Sequence, residues 1–143
     1  MTAVFSLRHS LQAALAEDLA QGDITTLATC EPFRVGTGRI VAKQKLVLSG
    51  TTVIGEVFDL LAGPGAVVKM HAADGQNLSA GTLVAEVEAP LHALLGGERV
   101  MLNLLMRMSG IATYTAEAVA ALRGTSTRVP SKLRTSELTT ART

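Results

Sequence analysis

The residues with chemical potential gather in one stretch, "GGERVMLNLLMRMSGIAT", residues 96–113. Arg99, Asn103 and Arg107 recur there at intervals of four, which places them along one stripe of a helix. Two guanidinium groups and an amide on one stripe form a candidate carboxylate or phosphate site, because arginine presents a planar fork that matches such anions. Val100, Met101, Leu104, Leu105 and Met108 take the opposite, core-facing side. The plainer reading of the stripe is a solvated helix face. Arg99 complicates that reading. If the helix starts at Gly97, this cation lies in its first turn and opposes the macrodipole, at roughly 0.3–1 kcal/mol.

Other candidates are weaker. Glu86 and Glu88, two apart on a strand, point the same way and as a pair suit acid/base work. The wet face of a half-buried sheet accounts for them more simply. His9, His71 and His92 lack metal-ligand spacing and have no second cysteine nearby, which argues against a metal site. "GTGRIV" has two glycines of the dinucleotide fingerprint and leads into a strand, so it is set aside. Ser109 lacks the strand-to-helix turn of a nucleophile elbow. "VVKM", Val67 to Met70, is similar to the lysine environment of biotinyl carrier domains, and the run to Glu88 to half of a biotinyl- or lipoyl-type hairpin domain. Lys69, however, falls inside a strand rather than at a hairpin tip. That likeness is one of strand architecture, not of a swinging arm.

Elements must position these groups. Leu7, Leu11, Leu15 and Leu19 mark one face of an amphipathic helix, which "QGDITT" stops through Gly22 and Asp23. "GRIVAKQKLVLSG" alternates as a strand with Ile40, Ala42, Gln44, Leu46 and Leu48 on one side. "TTVIGEVFDLL" places Val53, Ile54, Val57, Phe58 and Leu61 at helical spacing, with Thr51 or Thr52 as its cap. Residues 63–90 alternate short apolar runs with the turn signals Gly63-Pro64-Gly65, Asp74-Gly75 and Ala80-Gly81, which predicts short antiparallel strands. Leu83, Ala85 and Val87 share one face of the last of them. "LHALLGGERVMLNLLMRMSGIAT", residues 91–113, returns to helical spacing, and a second short helix, "TAEAVAALRG", is closed by Gly124. This order indicates an α+β fold.

The totals agree with that fold and exclude several functions. The chain has 143 residues, 48% of them apolar, and a formal net charge of +1. One domain and a buried core are affordable. A balanced charge with three Phe, one Tyr and no Trp offers neither the basic footprint nor the stacking platforms of a nucleic-acid binder. Cys30, the single cysteine, reads as a small apolar residue and permits no internal disulfide, which suits a reducing compartment. The N-terminus is broken by Arg8, His9, Glu17 and Asp18, and no apolar run approaches the ~20 residues of a membrane span. A cytoplasmic protein without a membrane partner is expected. From Gly124 onward nine of twenty residues are Ser or Thr, and Pro130 to Thr143 are expected to be poorly ordered.

Four stretches together resemble one family, quinolinate phosphoribosyltransferase, or nicotinate-nucleotide pyrophosphorylase (carboxylating). They are "LAEDLAQGDITT" (Leu15 to Thr26), "GRIVAKQKLVLSG" (Gly38 to Gly50), "DGQNLSAGTLVAEVEAP" (Asp74 to Pro90) and above all "LLGGERVMLNLLMRMSGIAT" (Leu94 to Thr113). The resemblance covers about residues 8–129. It implies an N-terminal domain over residues 1–112, with a small hammerhead- or hairpin-like antiparallel sheet packed with helices. Residues 113–129 would begin the family's C-terminal α/β barrel, and residues 130–143 match nothing. It implies an enzyme that transfers the phosphoribosyl group of phosphoribosyl pyrophosphate to quinolinate, with Mg²⁺, giving nicotinate mononucleotide, CO₂ and pyrophosphate in NAD biosynthesis. It also implies a homodimer in which Arg99, the arginine of the "ER" pair, reaches a quinolinate carboxylate in the neighbouring subunit's site. Arg107 and Asn103 are secondary candidates.

After Gly124 the family runs through its first barrel strand into a "DTRKT"-like loop. "TSTRV" fits the strand, but "PSKLRTSELTTART" does not fit the loop, so Lys132 and Arg134 inherit no role. Without the barrel, its phosphoribosyl site and its acidic Mg²⁺ ligands, the chain alone is expected to bind no cofactor and to lack transferase activity. Truncation, a frameshift or gene decay would each produce such a chain. Two alternatives stand beside this reading: a pyrophosphorylase-like paralogue linked to molybdenum transport, and a non-catalytic dimerisation or interaction domain.

Overall fold

The computed structural model describes residues 7–20 and 34–124. The expected stop at Gly22 and Asp23, Cys30, the "TSTRV" strand and the tail from Pro130 lie outside the described residues. Helix α1 spans Leu7–Ala20, and α2 spans Thr51–Ala62. Strands follow the order β1 Val35–Val41, β2 Leu46–Val47, β3 Val67–Met70, β4 Asn77–Leu78 and β5 Leu83–Pro90. Helix α3, Leu91–Ala121, completes an α+β fold. Leu11 and Leu15 of α1 are buried as the four-residue spacing predicts, while Leu7 and Leu19 lie at the ends of the contact and stay partly wet.

The main sheet is antiparallel with order β1-β5-β3. Val35 faces Pro90 at one end and Val41 faces Leu83 at the other, with an irregularity between Ile40 and Val41. Ala85, Val87 and Ala89 point into the core. The extended run from Gly38 to Leu48 is not one strand. It turns at residues 43–45 and divides between two sheets. Ala42 is the crossing point: its N–H donates to the Thr82 carbonyl at 2.9 Å, and its carbonyl accepts from Gly81 N–H at 2.8 Å. Beyond it, β2 pairs with β4, outside the main sheet. Alternation sees only which side a residue faces, so it runs smoothly through a change of partner.

Helix α2 buries Val53, Ile54, Val57 and Phe58, as its spacing demands. Its cap differs from expectation. The residue before Thr51 is Gly50, in the left-handed region and without a side chain to offer. Asp74 supplies the acceptor instead, its Oδ1 taking the Thr51 N–H at 2.9 Å. Burial pushes the Asp74 carboxyl up, but the N–H groups of Thr51 and Gly50 and the Thr51 hydroxyl hold it below its ordinary value.

Helix α3 is one element of 31 residues, about 46 Å long, not two. It starts directly from β5, with Pro90 as its N-cap and Leu91 N–H donating to the Arg34 carbonyl at 2.8 Å. Arg99 therefore sits more than two turns inside, where the macrodipole has faded, and the supposed cost of a misplaced cation disappears. Gly96 and Gly97 are buried inside the helix rather than before it. A Cβ on Gly97 would stand 2.9 Å from Val57 and 3.0 Å from Leu61 of α2, and one on Gly96 would stand 3.2 Å from Leu19 of α1. Ser109 is the last buried side chain of α3, and the helix continues unbroken past 112/113.

Two stability tests follow. Gly97→Ala is expected to destabilise the chain by about 1–3 kcal/mol through overpacking, although alanine is the better helix former. Gly110→Ala, with nothing within 4 Å of its Cβ, is expected to stabilise it by about 0.5–1 kcal/mol. Denaturant midpoints of the two variants check this. Asp74→Asn should lower stability near neutral pH by about 0.5–1 kcal/mol. Because the Asp74 pKa is depressed by folding, its contribution is present above the unfolded value of about 4 and is lost as pH falls through the folded value. Thermal melts from pH 7 to pH 2 should show a smaller acid loss in the variant.

Candidate functional site

The solvent side of α3 carries the candidate residues. Eight residues of helix advance about 12 Å and turn about 80° beyond whole turns, so the Arg99–Asn103–Arg107 stripe winds around the rod. Asn103 and Arg107 come to border an open groove against α1, lined also by Ala14, Glu17, Asp18, Val100 and Leu104. Arg99 faces further out. Leu95 and Met106 are exposed and Leu102 half-buried at positions i−4, i+7 and i+3 from it. Arg99 thus stands inside an apolar strip rather than at the head of a basic one.

The Arg99 side chain is 76% exposed, and its Nη1 lies 3.4 Å from Asp18 Oδ1, which is only 26% exposed. Asp18 carried no role in the sequence reading. Its signal was its phase: it follows Leu11 by seven residues and Leu15 by three, so a carboxylate flanks the buried side of α1.

The remaining candidates fall elsewhere. Glu86 and Glu88 lie on the wet face of β5. Glu86 is engaged there, with Oε2 2.9 Å from His71 Nε2 and Oε1 3.6 Å from Arg39 Nε. Lys69 stands inside β3, opposite Glu86. His9 on α1 and His92 on α3 are exposed. Among the described residues no three His, Cys, Asp or Glu side chains gather to hold a metal ion.

Ser109 has a structural task that the sequence reading missed. Its hydroxyl accepts from Ser49 N–H at 3.1 Å and donates to the Ser49 carbonyl at 3.2 Å. One turn on, Thr113 Oγ1 accepts from Val47 N–H at 2.9 Å and donates to the Ser109 carbonyl at 2.7 Å. The two hydroxyls bond the chain from β2 toward α2 as a neighbouring strand would. The available signal was Ser109 continuing the buried series Met101, Leu105 at four-residue spacing, where a polar group needs a partner.

A sequence model of the quinolinate phosphoribosyl transferase N-terminal domain matches residues 23–109. The chain belongs to this family. It is 41% identical over 124 residues to the nicotinate-nucleotide pyrophosphorylase (carboxylating) of Mycobacterium leprae, covering 85% of this chain and 44% of that one. It is 30% identical over 112 residues to quinolinate phosphoribosyltransferase (decarboxylating) 1 of Nicotiana glauca, covering 78% of this chain and 32% of that one. The crystal structure of NadC from Streptococcus pyogenes superposes with a TM-score of 0.77 at 37% identity, over 82% of this chain and 42% of that chain. The chain spans less than half the length of each of these relatives. The antiparallel sheet and helices described above are the family's N-terminal domain, and "GGERVMLNLLMRMS" lies inside the matched region.

Within that domain the hydroxyl pair should behave as scaffold. Ser109→Ala leaves both backbone groups of Ser49 unpaired and should cost about 1–3 kcal/mol. Thr113→Val, at a half-buried site, should cost less. Urea midpoints of the two variants give the comparison.

Proposed function

We propose that this chain provides the domain that delivers Arg99 to quinolinate during phosphoribosyl transfer from phosphoribosyl pyrophosphate, in the formation of nicotinate mononucleotide for NAD biosynthesis. In this reaction the ribosyl carbon leaves a pyrophosphate oxygen and joins the pyridine nitrogen. The adjacent carboxylate leaves as CO₂, and a proton takes its place. The observation that carries the reading is an exposed forked cation set among Leu95, Leu102 and Met106. Exposed apolar surface of this kind suits a partner. A second subunit laid over it would exclude water and strengthen the pairing of Arg99 with a carboxylate. The fork would orient the substrate rather than transfer a proton.

In this reading the protein is a cytoplasmic homodimer, residues from Thr113 onward lead toward a barrel, and Arg99 acts in the neighbouring subunit. No described helix is long and apolar enough to cross a membrane. Mg²⁺ does not fit the described residues: the acidic pair Glu17 and Asp18 lines a groove shared with Arg107, and no third ligand joins them. No step is therefore assigned to a metal on this chain. Arg107 and Asn103 shape the groove beside α1.

The test joins residues 1–124 of this chain to the remaining portion of the Mycobacterium leprae relative and follows nicotinate mononucleotide. The chimera should turn over. Arg99→Ala should raise its KM for quinolinate roughly ten- to hundredfold, with little change for phosphoribosyl pyrophosphate. Arg99→Lys should recover only part, because the fork is lost. This chain alone should be inactive. Turnover by it alone, or an unchanged quinolinate KM in Arg99→Ala, overturns the reading.

A further inference from the structure

A guanidinium has five N–H donors, and in Arg99 one nitrogen is already engaged. Nη1 points to Asp18 Oδ1 at 3.4 Å. The two partners are unequal: the aspartate is largely enclosed, while the arginine is mostly in solvent. The enclosed end of such a pair is the anchor, and the exposed end is what it holds.

The pair lies beside a contact between α1 and α3. Asp18 precedes Leu19, whose Cδ2 lies 3.2 Å from where Gly96 would carry a Cβ. A Cβ at 96 would meet the tip of the partly exposed Leu19 side chain, next to Asp18 in sequence. Gly96 is three residues before Arg99, on the adjacent turn of α3. Among the described residues Asp18 is the ion-pair partner of Arg99, whereas Arg8, the other α1-linked arginine, is held by Glu56 and Asp59 at 3.1 and 2.7 Å.

We propose that Asp18 is a positioning residue for Arg99. Its carboxylate holds one nitrogen of the guanidinium so that the opposite edge faces outward, already oriented for a substrate carboxylate. A free arginine loses much rotamer freedom when it binds; one tethered in advance loses less. The proposal rests on the reading of Arg99 given above. It also makes a prediction opposite in sign to simple electrostatics. A negative charge beside Arg99 weakens the positive potential that draws a dianion, so removing it should tighten quinolinate binding if charge alone matters. If orientation matters more, removing it weakens binding.

In the chimera, Asp18→Asn should raise the KM for quinolinate about two- to fivefold, the range of an exposed ion pair. The effect should spare the KM for phosphoribosyl pyrophosphate, and Asp18→Glu should recover most of it. Adding Asp18→Asn to Arg99→Ala should do no further harm. An unchanged or lowered KM in Asp18→Asn, while Arg99→Ala still raises it, overturns the positioning role and leaves the role of Arg99 intact. No effect of Arg99→Ala defeats the reading beneath both. The 143-residue chain offers a check without turnover. By NMR relaxation, the Arg99 Nε–Hε group should be restrained in the native chain and mobile in Asp18→Asn, with Arg8 unchanged. Equal mobility of Arg99 in both overturns the proposal.

Discussion

At Gly96 and Gly97, α3 has no side chains; α2 packs closely onto it at Gly97, and the Leu19 side chain of α1 reaches it at Gly96. This near contact sets where everything else lies. Val57 and Phe58 pack against the helix at Gly97, and Leu19 abuts it at Gly96. Glycine is a poor helix former, with a penalty of roughly 1 kcal/mol against alanine in an exposed interior. At Gly97 it instead permits a close approach to α2, where a Cβ would stand 2.9 Å from Val57 and 3.0 Å from Leu61. The Leu19 contact at Gly96 is one residue from Asp18, which lies 3.4 Å from Arg99.

The second half of α3 solves a different problem. Strand β2 is two residues long and pairs only with β4. The N–H groups of Val47 and Ser49 would otherwise face a helix, whose backbone is already fully bonded. Thr113 and Ser109 meet them with hydroxyls one turn apart. A hydroxyl both accepts and donates, so Ser109 satisfies two groups of Ser49 at once while remaining buried. Past this point α3 buries no further side chain.

Much of the architecture is legible in the sequence. The buried faces of α1 and α2, Ala85 and Val87 on one face of β5 with a half-buried Leu83, and Glu86 and Glu88 on the other, all follow from periods of 3.6 and 2. What periodicity missed has a common cause. The break at Ala42 changes a strand's partner without changing its alternation. The cap of α2 comes from Asp74, 23 residues away in sequence. Helical spacing from Leu91 is legible, but the run to Ala121 reads as two helices, because nothing local shows that the helix continues past Thr113.

The sequence by itself determined the α+β class, the family and Arg99 as the residue of interest, because short-range periodicity and a long specific motif are properties of the chain alone. Only the tertiary structure decided what surrounds that arginine. It turned Arg107 and Asn103 toward a groove against α1, set Arg99 among Leu95, Leu102 and Met106, and brought Asp18 to it. The reason is geometric. A helix advances by 1.5 Å and about 100° per residue, so residues spaced evenly along the chain diverge around it, while two residues 81 positions apart meet where α1 packs against α3.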